Sequence, residues 1–382
     1  MTEIHPLLNK ERQELARRYE KEKRILGLAS MILSFIVLLA FYDSGLSLRL
    51  ATAFAQRAVI LAFLVYVASC LGIWAVLSFP LSFYIGYCHE HRWNFSNQTV
   101  KSWLVEKLKS FFVNLFIIYI LLGLLFWIMA RFPQMWWLVA GLTTALVSVV
   151  LATLYPVVIM PVFNKYTPIQ APSLTDALDK ILAKGGLKSS GFFKEDMSRQ
   201  TKKENAFLAG LGKTRRVILG DNLMKAMSVP EIESIIAHEV GHYRYRHIWK
   251  NIFLGTCQQI IVLWLVHLTM TSIFPNFLSS ARWNLALFPL FAVFAGIFSG
   301  LLFGPPGLAL SRRFESRADR YALENIAAQT AFATALAGLA DRNLSNAYPS
   351  WWVKTLFYSH PPIGERLKAA DDFQRKPGRR NF

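Results

Sequence analysis

The stretch AVILAFLVYVASCLGIWAVLSFPLSFYIGY, Ala58–Tyr87, contains no Asp, Glu, Lys, Arg or His. A helix rises 1.5 Å per residue, so about 20 apolar residues cross the hydrocarbon core of a bilayer and this run is long enough to project beyond it. Five similar runs follow the same criterion: Ile25–Tyr42, Phe111–Ala130, Met135–Met160, Ile252–Phe274 and Asn284–Leu310. Buried helices of a large soluble protein would explain one or two such runs, not six. Hydrophobic residues are 54% of the 382 and charged residues 17%, which points the same way. About two dozen largely polar residues precede the first run, so it is not expected to be a cleaved signal peptide.

The net charge of +18 would suggest nucleic acid in a soluble protein, but its distribution argues against that. Lys10, Arg12, Arg17, Arg18, Lys21, Lys23 and Arg24 crowd ahead of the first run, where positive charge holds a segment on the cytoplasmic side. With six spans, the loops 43–57, 131–134 and 275–283 fall outside and carry few basic residues. The loops 88–110 and 161–251 and the tail 311–382 fall inside and carry many. The chain therefore divides into a basic cytosolic segment (1–24), four spans (25–160), an inner-face insert (161–251), two spans (252–310) and a tail (311–382). Cys70, Cys88 and Cys257 lie in or beside apolar runs without CxxC spacing and read as small hydrophobes.

Inside the insert, Pro168–Pro172 reads as a linker, and a helical pattern near Ser173–Leu182 is ended by Gly185 and Gly186. Strand-like stretches follow at Gly191–Glu195, Asn205–Leu211 and Arg216–Leu219. Pro230 and Glu231 then open a helix expected to run from Val229 through Arg246. The fold class is thus mainly α: a polytopic membrane helix bundle with a small α+β zincin-type catalytic unit.

That last helix carries His238-Glu239-Val240-Gly241-His242. Residues four apart share a helix face, so both imidazoles can reach one metal ion, with Glu239 beside them as general base. A catalytic zinc takes a third protein ligand and keeps a position open. A third His in the HExxHxxGxxH spacing is absent, because Tyr245 and Ile248 stand where glycine and histidine would be needed. His247, about 140° round the same helix from His242, reads as a surface or interfacial residue. Past the last span, Glu315 and Asp319 share a face. One can bind metal while the other accepts the Nδ1 proton of a ligating His, or both can be ordinary charges on an arginine-rich surface helix. Asn205-Ala206-Phe207 reads as an edge strand able to hold an extended peptide, and His360 in Ser359-His360-Pro361-Pro362 as an oxyanion stabiliser. A purely structural role remains open for each.

Taken in order, these motifs resemble the type I CAAX prenyl proteases, a family of membrane zinc metallopeptidases. The likeness runs from about residue 75 to 370. It includes Glu90-His91-Arg92-Trp93-Asn94-Phe95, similar to the family's EEKHGF loop, the segment Met160–Pro168, Asn205–Phe207, the HEVGH pentapeptide, Glu315 to Asp319, and Ser359–Pro362 followed by Arg366. The resemblance implies one Zn2+ per chain held by His238, His242 and Glu315, with Glu239 as catalytic base and Asp319 as the partner of a ligand. It implies that Asn205, Ala206 and Phe207 hold the substrate backbone and that His360 and Arg366 line the site. Two departures stand out: the eukaryotic members have seven spans where six are counted here, and His91 replaces an acidic residue of the loop.

The expected function is an integral membrane zinc endopeptidase acting on membrane-associated or prenylated, CAAX-type peptides. The membrane would be a bacterial inner membrane or the endoplasmic reticulum, with the site toward the cytoplasm. The alternative is a quality-control metallopeptidase of membrane proteins without prenyl specificity. A transporter or scaffold with a vestigial metal site would need ionisable residues along a path through the spans, and these hold almost none besides His267. Orientation is testable in a background without native cysteines. Leu50→Cys and Leu278→Cys should react with an impermeant maleimide added outside intact cells, and Val100→Cys and Arg375→Cys should not. Outside labelling at 375 would reveal a span missing from the count.

Overall fold

The computed structural model describes residues 3–53 and 59–375; Ala58, at the head of the second run, lies outside them. In chain order the elements are α1 (Lys10–Asp43), α2 (Leu46–Ala53), α3 (Ile60–Arg92), α4 (Val100–Arg131) and α5 (Trp136–Phe163). The insert follows as β1 (Tyr166–Pro168), α6 (Pro172–Lys184), β2 (Phe192–Glu195), β3 (Ala206–Ala209), β4 (Arg216–Gly220), α7 (Asp221–Ala226) and α8 (Val229–Arg244). Then come α9 (His247–Ile273), the short α10 (Ala281–Ala286), α11 (Phe288–Asn325), α12 (Gln329–Asn343), α13 (Trp351–Phe357) and α14 (Ile363–Gln374).

Six of these helices, α1, α3, α4, α5, α9 and α11, are long and apolar enough to cross a membrane. No more than 17% of the most apolar window of any of them is buried inside the protein. Ile60, Val76, Phe116 and Leu301 are 66–75% exposed. Core helices would bury such residues, so this is a multi-pass membrane protein whose outer surface is solvated by lipid. His267, the ionisable residue within a span, accepts at Nδ1 from Trp136 Nε1 at 3.0 Å and so faces the bundle. Short π-helical turns at Tyr84–His89, Tyr155–Ile159 and Ser299–Phe303 interrupt α3, α5 and α11, each within a few residues of a proline that cannot continue the regular ladder.

Two features go beyond the sequence reading. α1 is helical from Lys10, ahead of the first apolar run, with Asn9 capping it through Arg12 N–H. Its polar turns are held by the tail, since Gln13 donates to Asp341 at 3.0 Å and accepts from Ala347 N–H at 3.0 Å. Glu20 accepts from Asn346 N–H at 2.9 Å. Residues 46–53 form α2, which at about 12 Å is too short to cross a bilayer.

The insert folds on a four-stranded sheet in the order β1-β2-β4-β3, with β2 and β4 parallel and the outer pairs antiparallel. β1 lies partly in what the sequence presented as lead-in to a linker. A three-residue strand shows no alternation to read, and it is fixed from afar, with Tyr166 Oη donating to Glu195 at 3.1 Å. Leu178 of α6, Val217 and Leu219 of β4, Ile236 and Val240 of α8 and Ala322 of α11 are fully buried in one core. That core fixes α8 against the far end of α11.

The two helices touch at Gly241. A Cβ there would stand 3.0 Å from Ala318 Cα and 3.1 Å from Tyr321 Cβ, closer than backbone can yield without parting the helices. Gly→Ala inside a helix ordinarily gains roughly 0.5–1 kcal/mol from propensity. Gly241→Ala should instead lower Tm in detergent and reduce bound zinc. A rise in Tm would show that the close approach is not limiting.

Candidate metal centre and active site

α8 starts where Ser228 and Glu231 cap one another, with Ser228 N–H donating to Glu231 at 2.8 Å. Three turns on, His238 Nε2 and His242 Nε2 stand 3.1 Å apart. Glu315, reaching over from α11, places Oε2 3.2 Å from His238 Nε2 and Oε1 3.4 Å from His242 Nε2. A tetrahedral ion with ligand distances of about 2.0–2.1 Å has ligand-to-ligand edges of about 3.3 Å. The three separations match that edge. Glu315 Oε2 is also buried with no hydrogen-bond donor. Two imidazoles and one carboxylate, with one buried oxygen lacking a donor, fit a catalytic zinc.

Each histidine is backed on its other nitrogen. His238 Nδ1 lies 2.8 Å from Asp319 Oδ1, and Arg366 clamps that carboxylate through Nε at 2.8 Å and Nη2 at 2.6 Å. Burial opposes charge on His238, but Asp319 and Glu315 outweigh it and push its pKa up to about 9, so without metal the ring holds a proton that an incoming cation must displace. Arg366 is only 10% exposed and spends its fork on Asp319. Arg366 thus meets the candidate site through Asp319.

His242 Nδ1 lies 3.0 Å from His247 Nδ1. His247 is buried and stacks on Phe314 at 4.2 Å. This corrects the surface assignment. The projection round one continuous helix fails because α8 ends at Arg244 and Arg246 adopts a left-handed φ of 56°, which folds His247 back as the first residue of α9. No proline or glycine between His242 and His247 marks that break, so the sequence carried no signal for it.

Glu239 points from α8 toward β3, its carboxylate meeting Leu208 N–H. Burial among protein atoms pushes its pKa above the ordinary carboxylate value. β3 pairs with β4 on one side only, and among the described residues its other edge meets no strand. Tyr243 donates from that side to Gly210 O at 2.8 Å. Ala206 is buried in β3 and Phe207 half-buried. Asn205 sits just ahead of the strand, exposed, its carbonyl accepting from Gly220 N–H at 2.9 Å. His360 arrives from the loop after α13, with Nε2 3.3 Å from Glu315 Oε1 and its side chain 58% exposed.

Residues 168–374 match the profile of Peptidase family M48, and residues 2–165 match that of the CAAX prenyl protease N-terminal region, described as five membrane helices. Over that second region, among the described residues, four helices are long and apolar enough to span, and α2 is the short one. The chain is 27% identical over 378 residues to a Bacillus subtilis protein named uncharacterized metalloprotease YhfN, covering 95% of this chain and 86% of that one. It is 29% identical over 335 residues to Saccharomyces cerevisiae CAAX prenyl protease 1, covering 80% and 72%. The crystal structure of S. mikatae Ste24p superposes with a TM-score of 0.80 at 24% identity, covering 97% of this chain and 92% of that one, which establishes the shared fold.

His247→Phe keeps a ring to stack on Phe314 while deleting the nitrogen that meets His242. It should weaken zinc by roughly 10- to 100-fold, the range for partners that orient a ligand, with little change in Tm of the metal-free protein. Competition with a fluorescent chelator reads the affinity. An unchanged value would leave His242 oriented by its metal alone.

Proposed function

The chain belongs to Peptidase family M48, and from that premise we propose that it is a zinc endopeptidase cleaving membrane-associated, prenylated CAAX-type peptides on the cytoplasmic side of its membrane. The observation that carries this reading is the His238, His242 and Glu315 triangle beside Glu239 and the open edge of β3, on a chain with six spanning helices. The insert (161–251) and the tail (311–382) would then share the catalytic work. Bound by those three ligands, zinc would supply a Lewis acid that polarises the scissile carbonyl and acidifies water.

The chain's own residues supply the rest. Glu239 takes the proton from the attacking water and returns it to the departing amine nitrogen. His360, at the mouth of the site, donates to the oxyanion that develops on the carbonyl oxygen. Asn205, Ala206 and Phe207 offer backbone along β3, so that an extended substrate adds as a strand and is held next to Glu239. Asp319, fixed by Arg366, and His247 keep the two ligating imidazoles aimed. The curated relative named CAAX prenyl protease 1 supports a prenylated substrate, and the apolar spans offer a lipid chain somewhere to lodge. Binding energy from that remote chain raises the rate when it is realised in the transition state.

Purified protein should hold about one zinc per chain, and Glu239→Gln should keep the metal while abolishing turnover, since an amide cannot accept the proton. A farnesylated peptide should be cut with higher kcat/KM than its unmodified twin. Activity surviving in Glu239→Gln would remove the general-base assignment. Equal rates on both peptides, together with cutting of unfolded membrane proteins, would move the function to quality control.

A further inference from the structure

Where α11 leaves its apolar stretch, its next turns carry Arg312, Arg313 and Arg317, and α13 packs alongside. Arg312 is structural: it donates to the carbonyls of Lys354 at 3.1 Å and Tyr358 at 2.7 Å, fastening α13 to α11. Between the helices lies an open cleft of about 840 Å³ lined by Arg313, Arg317, Trp351, Lys354, Thr355 and Glu365 among others, within the size range of ligand sites. Lys354 and Glu365 neutralise one another, Nζ donating to both carboxylate oxygens at 2.7 and 2.8 Å. Arg313 and Arg317 make no ion pair or hydrogen bond among the described residues. They stand one turn apart, so two free guanidinium forks share one face.

The wall opposite carries Trp351, 78% exposed; Trp352 and Leu356, 48% and 49% exposed, lie on the same helix outside the cleft lining. Exposed tryptophans beside the end of a spanning helix are the signature of the headgroup layer, where an amphipathic ring satisfies both media. On the membrane side, α11 presents Leu301 and Leu302, 75% and 48% exposed. Unpaired arginines above and bare leucines below match the phosphate and the acyl chains of one molecule.

We propose that this cleft binds the phosphate of an anionic phospholipid, held between Arg313 and Arg317 with its glycerol end against Trp351. The site lies on the outward side of α11 from Glu315 and is separate from the metal centre. α13 runs directly into Ser359 and His360, so an occupied cleft steadies the segment that delivers His360 to the site.

The test uses full-length protein in phosphatidylcholine nanodiscs containing phosphatidylglycerol, with native mass spectrometry counting retained lipid and zinc. The parent should retain phosphatidylglycerol preferentially. Arg313→Gln/Arg317→Gln should lose that preference by roughly 25-fold, about fivefold per cation, with zinc unchanged. Lys180→Gln/Lys188→Gln, on the exposed face of the insert, should behave as the parent, and Arg313→Lys/Arg317→Lys should retain part of the preference. Inorganic phosphate at millimolar concentration should not displace the lipid. Retention unchanged in the glutamine pair, loss of zinc along with lipid, or displacement by phosphate alone would each overturn the proposal.

Discussion

The three side chains of the candidate metal site are split between two helices, and their grouping depends on bringing those helices into contact. His238 and His242 come from α8 in the polar insert, whereas Glu315 comes from the far end of a helix that begins as a membrane span. Separations of 3.1–3.4 Å among their donor atoms require the backbones to approach as closely as Gly241 and Ala318 allow. A side chain at position 241 would spread the triangle beyond what one ion can bridge. The buried core around Leu178, Val217, Ile236 and Ala322 is what holds that contact closed.

Much of this was legible in the sequence because it depends on local periodicity. The spans are runs of apolar residues, and the two histidines are set by a four-residue spacing on one helix, so neither needs tertiary information. What escaped depends on where the chain bends. The break at Arg246 turns His247 from a surface residue into the partner of His242. The helical state of residues 10–24 depends on Asp341, Asn346 and Ala347, more than three hundred positions away. The resemblance named Arg366 without the group its fork engages, which is Asp319. β1 was missed for the same reason as α1's first turns: its stability is supplied from elsewhere.

The loop at the end of α3 gains a physical role from the same logic. Glu90 accepts from Lys203 at 2.6 Å and from Tyr19 at 2.7 Å, and the Lys203 ammonium lies 4.5 Å above the ring of Phe95. Burial pulls the Lys203 pKa down and the facing Glu90 carboxylate opposes that shift. Removing either partner would leave an uncompensated half-buried charge, and such a pair specifies geometry more than it adds stability. The geometry specified is that of residues 203–205, the lead-in to β3. The first and third helices of the chain are thereby tied to the strand edge beside Glu239.

α11 joins the two halves of the molecule more directly. Its 38 residues extend about 57 Å, from lipid at one end to Glu315 and Asp319 near the other. A continuous helix of that length would pass any tilt of the span straight to the carboxylate that completes the metal triangle. The π-turn at Ser299–Phe303 lies between the two, where a widened turn can absorb such a tilt before it reaches Glu315. Below that turn the helix answers to the bilayer. Above it, Gly241, Asp319 and Arg366 fix it to the catalytic unit. The carboxylate end of α11 is thus held by the insert and tail, while its first turns pack among the apolar spans.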